Sequence, residues 1–142
     1  MYNNIFSTTI DASEEDYLYT DTSQIPNAGL GLFTAIKIFK SEVIAVFDGE
    51  IISEEEQQKR RDKKEDGYFI NLVNGKVMDS MHTFCFAKFA NDAEGLFKTE
   101  HKNNAIISLN EKDQVCLIAS KNIQAYAEIF CGYGKGYWLN RV

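Results

Sequence analysis

The segment Asn27–Phe33 carries two glycines around one leucine, in the order Gly29-Leu30-Gly31. Glycine adopts positive φ readily and lets a ligand approach the main chain closely, so a turn of this kind can bind a small molecule through backbone groups. A dinucleotide fingerprint is excluded because the third glycine is absent and no helical pattern follows. A phosphate loop is excluded because no Gly-Lys-Ser/Thr follows. A tight turn between two strands is the alternative interpretation.

Sulfur and imidazole side chains are too scattered to predict a metal site. The cysteines are Cys85, Cys116 and Cys131, an odd number without a C-x-x-C pair. This pattern disfavours a disulfide framework or a structural zinc site, and it favours thiols in or near the core of a protein in a reducing compartment. His82 and Cys85 have ligand-like spacing, but two ligands do not make a site. We therefore expect no metal and an intracellular location, with cytoplasm and nucleus both open.

Two further segments combine aromatic and polar residues. Residues Lys88–Ala93, with the sequence Lys-Phe-Ala-Asn-Asp-Ala, are either a polar turn after an aromatic strand or a ligand-binding segment. The run Glu128–Trp138, taken alone, is an aromatic strand that ends in a glycine-rich turn. Neither segment identifies a reaction by itself.

Short strands are predicted to position these segments. Runs of β-branched and aromatic residues are separated by Gly, Asn, Asp or Lys, which is typical of a mainly β domain with some helix. The predicted strands are Leu30–Phe33, Val43–Phe47, Tyr68–Val73, Lys76–Met78, Ala105–Leu109 and Val115–Ala119.

One segment has a helical pattern instead. Ser53 followed three residues later by Glu56 is a capping box, and acid-first pairs at i,i+4 spacing follow it. Helices commonly end at glycine, and Gly67 follows this segment. These signals therefore predict an exposed helix with many charged side chains over about 54–66. A second, shorter helical turn is expected at Ser80–Phe84.

Length and composition predict one domain. The chain has 142 residues, of which 44% are apolar and 25% charged, and its formal net charge is −6. An acidic chain is a poor general binder of nucleic acid and suits a basic partner, and no apolar run approaches the length of a membrane span. We expect residues 1–22 to be a lead-in on the surface and residues 23–142 to form the domain.

Taken in order along the chain, the motifs resemble the SET-domain family of protein lysine methyltransferases. Gly29–Phe33 is similar to the family's Gly-x-Gly turn, and Phe47–Glu50 to its aromatic-x-Gly-Glu segment. Lys88–Ala93 resembles Arg-Phe-x-Asn-His-Ser, and Asn103–Ala105 resembles Pro-Asn-Ala. Glu128–Trp138 resembles the ending Gly-Glu-Glu-Leu-x-x-Asp-Tyr-Gly followed by Tyr-Trp.

The resemblance implies a fold and a cofactor. The fold is a minimal SET core of several small β-sheets with a knot-like C-terminal segment and no flanking zinc-binding cysteine cluster. The cofactor is S-adenosylmethionine, which is converted to S-adenosylhomocysteine. The positions that the resemblance assigns to cofactor binding are Ala28, Gly29, Leu30, Gly31, Tyr68, Asn91, Asp92, Tyr133 and Trp138.

The resemblance also assigns the chemistry. Tyr133 falls on the family's catalytic tyrosine, and the substrate channel is formed by Phe47, Phe130, Cys131 and Tyr137. Methyl transfer is an in-line displacement that needs a neutral lysine, whose unperturbed pKa is about 10.4, and an aromatic channel disfavours the ammonium by desolvation. Because Cys131 is smaller than the aromatic residue common at this position, we expect room for more than one methyl group.

Departures from the family pattern leave other functions open. Phe47 replaces the usual tyrosine, Asp92 the usual histidine and Gly132 the usual aspartate. One alternative is therefore a catalytically weak or inactive module that binds the cofactor or a peptide, and another is a β-rich interaction module without cofactor. The expected partner is a protein or peptide with a lysine, a histone tail being one candidate, without nucleic acid or membrane. A homodimer that completes the cleft stays open.

Overall fold

The computed structural model describes residues 7–95 and 99–132, and short strands dominate them. This confirms the predicted mainly β class with several small sheets. In chain order the elements are β1 (Thr8–Thr9), α1 (Glu14–Tyr17), β2 (Leu18–Thr22), β3 (Leu30–Thr34), β4 (Glu42–Val46), β5 (Glu50–Ile52), α2 (Glu54–Asp62), β6 (Phe69–Asn71), β7 (Val77–Asp79), a 3₁₀ helix (Phe86–Phe89), β8 (Ala105–Leu109), β9 (Val115–Ala119) and β10 (Glu128–Ile129).

The strands form three separate sheets. The first has the order β1-β4-β9-β8, the second β10-β3-β2 and the third β5-β7-β6. The pair β1–β4 is parallel and the other pairs are antiparallel. A register shift between Val43 and Ala45 marks a bulge in the pairing of β4 with β9. Bulges bend a strand and increase its twist.

The two strands predicted at Ala105–Leu109 and Val115–Ala119 are confirmed with those bounds. Every residue of β9 is buried, because this strand lies between β4 and β8. A continuous short apolar run is the sequence pattern of such a central strand. The strands predicted at Tyr68–Val73 and Lys76–Met78 form instead as β6 and β7.

The shift of β6 and β7 has a local cause. The Leu72 amide donates to the Lys76 carbonyl at 2.8 Å, and the Gly75 amide donates to the Leu72 carbonyl at 3.0 Å. Gly75 has a φ of +83°, which suits glycine. These bonds make residues 72–76 a turn. β6 therefore ends before Leu72, and β7 begins after Lys76.

Three elements before Gly29 were not predicted. Tyr17 and Leu18 are both buried in the core, and the Tyr17 hydroxyl donates to the Ile44 carbonyl at 2.7 Å. β2 pairs with β3 over its whole length. The described part of the expected lead-in over 1–22 is thus packed on the domain. Sequence patterns missed it because α1 has only four residues and β2 is rich in Thr and Asp.

The predicted helix is present but ends at Asp62, so the predicted end at 66 was wrong. Its start follows the prediction, since the Ser53 hydroxyl accepts from the Glu56 amide at 3.1 Å. It ends early because Lys64 adopts a left-handed φ of 58° before Gly67 is reached. The segment Ser80–Phe84, predicted as a short helical turn, forms a hydrogen-bonded turn that is not helical. The 3₁₀ helix lies at Phe86–Phe89, and a single hydrogen bond from the Thr83 amide to the Ser80 carbonyl closes the earlier turn.

The core lies where β3, β4, β9 and β10 meet. The largest apolar side chains that are fully buried there are Leu32, Ile38, Ile44, Leu117, Ile118 and Ile129. Within residues 7–95 and 99–132, no helix has the length and apolar character that a membrane span requires.

Candidate functional site

The glycine turn lies in the hairpin between β2 and β3. Gly29 has a φ of +74°, and a Cβ placed on it would meet no atom within 4 Å. The Gly29 carbonyl accepts from the Ser23 amide at 2.8 Å, and the Ala28 amide donates to the Ile25 carbonyl at 3.2 Å. The turn is therefore closed by its own backbone, while the side of Gly29 where a side chain would lie is open.

Gly31 is required for a different reason. A Cβ at Gly31 would collide with the carboxylate of Glu128, which is only 2% exposed. That carboxylate accepts from the Ser23 hydroxyl at 2.6 Å and from the Gln24 amide at 2.7 Å. Through these two hydrogen bonds, Glu128 links β10 to the start of the glycine turn. Sequence analysis assigned no role to Glu128, although one acid before an apolar strand was a signal for a buried carboxylate.

Asn91 joins the glycine turn to the C-terminal run. Its side-chain Nδ2 donates to the Leu30 carbonyl at 3.0 Å, across 61 residues of sequence. Its carbonyl accepts from the Cys131 amide at 2.9 Å, and Asn91 forms a parallel bridge with Phe130. The structure thus brings together three segments that sequence analysis assigned to one site.

Asp92 is held by side-chain bonds within its own loop. Its Oδ1 accepts from Asn103 Nδ2 at 2.9 Å and from the Glu94 amide at 2.9 Å. Asn103 Oδ1 in turn accepts from the Ala93 amide at 2.8 Å. A Cβ at Gly132 would lie 3.3 Å from Asn103 Nδ2, so this loop contacts the C-terminal run directly.

Asn104 completes the connection. Its Nδ2 donates to the Glu128 carbonyl at 3.0 Å, and its Oδ1 accepts from the Phe130 amide at 2.8 Å. The next residue, Ala105, forms a bridge with Cys131. Sequence analysis missed Asn103 and Asn104 as site residues, although two adjacent asparagines before a strand were the available signal. We call the four segments joined in this way, 29–31, 91–93, 103–105 and 128–131, the polar junction.

Cys131 and Phe130 lie on opposite sides of their strand. Cys131 is completely buried in the core, and burial, with a smaller effect from Asp92, raises the pKa of its thiol to about 12. Phe130 stacks on His101, with ring centroids 5.3 Å apart. Neighbouring side chains of an extended segment point to opposite faces. The structure therefore does not bring these two predicted channel residues to one wall.

Phe47 and Tyr68 lie apart from the polar junction. The Phe47 amide donates to the Val115 carbonyl at 3.0 Å. Val115 is the first residue of β9, whereas Ala105 of the polar junction pairs with Ala119 at the other end of that strand. Phe47 is 8% exposed, so its ring is one edge of the core. Tyr68 is half-exposed, and Lys88 Nζ lies 5.5 Å from the centre of its ring.

Lys88 fixes the segment that leads to Asn91. Its ammonium donates to the carbonyls of Ser80, Met81 and Thr83 at 3.0, 3.2 and 3.0 Å. Charge-assisted bonds of this kind are stronger than neutral ones. Lys88 thus holds the turn at 80–83 against the 3₁₀ helix.

Three predicted site residues lie outside the described residues. They are Tyr133, Tyr137 and Trp138, and the expected knot-like segment extends beyond Gly132 as well. In the part of the chain that the structure describes, every buried side-chain nitrogen or oxygen has a hydrogen-bond partner, and no group of three or more His, Cys, Asp or Glu is arranged to hold a metal ion.

Comparison with known protein families matches the chain to the family described as the SET domain. The match covers residues 29–134, from the first glycine of the turn to the residue after Tyr133. Every segment of the polar junction lies inside this range, whereas α1 and β2 precede it.

Proposed function

The chain belongs to the SET-domain family, and from that premise we propose that it transfers a methyl group from S-adenosylmethionine to the side-chain amine of a lysine in a protein. The products are the methylated lysine and S-adenosylhomocysteine. The family consists in general of protein lysine methyltransferases. A basic, lysine-containing segment suits the net charge of −6. A histone tail is one candidate, and an intracellular location is proposed with it.

The observation that carries the proposal is the hydrogen bond from Asn91 to Leu30. It joins the glycine turn to the segment that resembles the family's Asn-His motif, 61 residues away. This bond is not needed to close either segment, since the glycine turn is closed by its own backbone bonds and the loop at 91–93 by bonds with the side chains of Asp92 and Asn103. Their contact supports a shared ligand for the two segments.

The residues of the polar junction fit S-adenosylmethionine. Its amino-acid end is zwitterionic and needs an acceptor for its ammonium and donors for its carboxylate. The amide of Asn91 provides an acceptor, Oδ1, in addition to the donor bound to Leu30. The open side of Gly29 lets a ligand reach the main chain. The backbone of Asp92 is proposed as a further contact, and Trp138 as a cover for the adenine.

The remaining groups act on the substrate amine. Bound S-adenosylmethionine would supply an electrophilic methyl group. The aromatic ring of Phe47 would help to exclude water and thereby favour the neutral amine. We propose that the hydroxyl of Tyr133 orients that amine for in-line attack, which is a positioning role.

Binding and turnover are tested separately. Calorimetric titration with S-adenosylmethionine and S-adenosylhomocysteine measures binding, and both ligands should also raise the melting temperature. Incubation with methyl-labelled cofactor and a panel of lysine-rich proteins measures transfer. We expect Tyr133→Phe to leave cofactor binding largely intact and to lower the rate of methyl transfer sharply. An unchanged rate in this variant would remove Tyr133 from the mechanism.

A second candidate is a module that binds cofactor or peptide without turnover. It is favoured by Phe47, which has no hydroxyl to offer the amine, and by Asp92, whose carboxylate is bound to Asn103. Binding without transfer to any protein of the panel would support it. Absence of binding at high excess of cofactor would support a β-rich interaction module instead.

Because the Cys131 side chain is buried in the core, we propose that its small size acts on the number of methyl groups through the neighbouring Phe130 rather than by lining the channel. Mass spectrometry of the product should detect dimethyl or trimethyl lysine for the wild type and monomethyl lysine for Cys131→Tyr. Strictly monomethyl product from both proteins would contradict the proposed role of the small side chain.

A further inference from the structure

A cleft with a volume of about 570 Å³ opens where β4 ends. One side is formed by α1, another by the residues that follow β4, and a third by the residues at the start of the 3₁₀ helix. The side chains that matter for its chemistry are Glu14, Glu15, Phe47, Asp48, Phe84 and Phe86. We call it the acidic cleft.

All of the charged side chains that line the cleft are acidic. Glu14, Glu15 and Asp48 line it, and none of its lining residues is Lys, Arg or His. Glu14 is half-buried, and one of its carboxylate oxygens accepts from the Val46 amide at 3.0 Å. Burial raises the pKa of Glu14, and the charge of Glu15 adds to this effect against the lowering by the Val46 amide. A bound cation would relieve the repulsion between these carboxylates.

The aromatic side chains of the cleft suit a flat cation. Phe84 is 66% exposed, more than any other phenylalanine among the described residues. Its ring packs edge-on against Phe86, with centroids 5.0 Å apart. An exposed aromatic face beside carboxylates attracts a guanidinium in two ways, by cation–π stacking and by charge-assisted hydrogen bonds. An ammonium is strongly hydrated and lacks the planar fork that stacks on a ring, so arginine fits this surface better than lysine.

The cleft shares one wall with the expected substrate channel. Phe47 lines it, and Phe47 is also the residue that the family resemblance assigns to the channel of the substrate lysine. Glu14 and Glu15, by contrast, precede the residues 29–134 that match the family. Two of the three acidic residues of the cleft are therefore added by α1, and the third, Asp48, belongs to the matched core.

We propose that the acidic cleft binds an arginine side chain of the protein substrate, close in sequence to the lysine that is methylated. The proposal rests on the proposed function and specifies its substrate class. In this proposal α1 contributes to substrate selection: the guanidinium stacks on the ring of Phe84 and binds the carboxylate of Glu15.

The test uses synthetic peptides with one lysine and one arginine, the arginine placed in turn at each of the four positions before and after the lysine. Matched peptides carry citrulline, a neutral analogue, or a second lysine at the same position. Fluorescence anisotropy with the full chain measures the dissociation constants. At one position or more, the arginine peptide should bind at least about tenfold tighter than its citrulline partner, as expected for charge-assisted bonds.

Variants locate the effect. Glu15→Gln and Phe84→Ala should each remove most of the preference for arginine while cofactor binding stays unchanged. Glu55→Gln, the same charge change on the exposed face of α2, is the matched control and should keep the preference. A preference that persists in both cleft variants would overturn the assignment.

The outcomes separate this proposal from the proposed function. Methyl transfer that is indifferent to arginine or citrulline would overturn the cleft assignment and leave the methyltransferase standing. Equal binding of the arginine and lysine peptides would overturn the arginine assignment too. Arginine-selective binding without methyl transfer would support the cleft and would count against catalysis.

Discussion

The polar junction and the unit formed by β5, α2, β6 and β7 are held together in different ways. In the polar junction, side-chain amides and a buried carboxylate bind backbone groups of remote segments, as Asn91, Asn104 and Glu128 do. In the second unit, which we call the helical unit, charged side chains bind each other. Arg60 there contacts Glu50, Glu56 and Asp79 at 3.2, 3.0 and 2.6 Å.

The two kinds of bond are expected to have different roles, one in ligand binding and the other in stability. Bonds of the polar junction constrain the backbone around the glycine turn, where the proposed function places part of the S-adenosylmethionine site. In the helical unit, the pair of Arg60 with the buried Asp79 is largely shielded from water, whereas the contact between Lys59 and Glu55 at 3.8 Å lies fully on the surface. Surface pairs contribute little to stability. We therefore expect changes in the polar junction to affect the cofactor, and changes in the helical unit to affect stability alone.

The largest effect is expected for Gly31→Ala. The new Cβ would collide with the Glu128 carboxylate and approach Ser23 Cβ to 3.2 Å. Either the β2–β3 hairpin or Glu128 must then move, and both support the glycine turn. We expect an affinity for S-adenosylmethionine at least about tenfold lower, measured by calorimetry, and a loss of stability of about 1–3 kcal/mol.

Gly75→Ala is the control for this variant. Gly75 has a φ of +83°, but a Cβ there would meet no atom within 4 Å, and it lies in the helical unit. It should cost about 1 kcal/mol through backbone strain and leave the affinity unchanged. If both variants lowered the affinity equally, the contrast between the two regions would be wrong.

The next effect is expected for Asn104→Ala. This change removes the hydrogen bonds to Glu128 and Phe130, at about 1 kcal/mol each, so about 2 kcal/mol of stability should be lost. Urea unfolding measures the loss, and cofactor titration should detect weaker binding. Asn110→Ala is the matched truncation, because the side chain of Asn110 binds the nearby Lys112 and Gln114 in an exposed turn. An equal cost for the two would show that the long-range bonds of Asn104 are not special.

The two regions also differ in how much their sequences predicted. The start of α2 followed from Ser53 and Glu56, because a capping box and i,i+4 pairs are local patterns. The strands β8 and β9 followed from apolar runs for the same reason. In contrast, nothing local to Asn91 indicates that it reaches Leu30, and nothing local to Glu128 indicates that it excludes a side chain at Gly31. Family resemblance pointed to the segments that meet in the polar junction, but the hydrogen bonds that join them were found only in the fold.

High pH should lower the stability of the protein through the thiol of Cys131, which belongs to the polar junction. Burial raises the pKa of its thiol from 9.0 to about 12. Above pH 9 the unfolded chain therefore releases this proton first, so the stability present below pH 9 declines as the pH rises towards 12. By pH 10 the decline should be about 1 kcal/mol for this thiol, measured by urea unfolding at pH 7.5, 9 and 10.

Cys131→Ala isolates this contribution. Its stability should fall less steeply between pH 9 and 10 than that of the wild type, although Cys116, whose pKa burial raises to about 11, keeps part of the slope. Glu55→Ala in the helical unit should retain the full slope. Identical slopes for Cys131→Ala and the wild type would mean that the thiol reaches water in the folded chain.

The smallest effect is expected for Ser53→Ala, at the start of α2. The hydroxyl that accepts from the Glu56 amide at 3.1 Å is lost, which should cost about 1 kcal/mol and lower the melting temperature by about 3 °C. Ser53→Asp keeps an acceptor and places a negative charge at the helix start, so it should retain the stability. Neither variant should change the affinity for S-adenosylmethionine, because no hydrogen bond of the polar junction comes from Ser53 or Glu56 among the described residues. A weaker affinity in Ser53→Ala alone would show that α2 is coupled to the glycine turn, and the division into two regions would then fail.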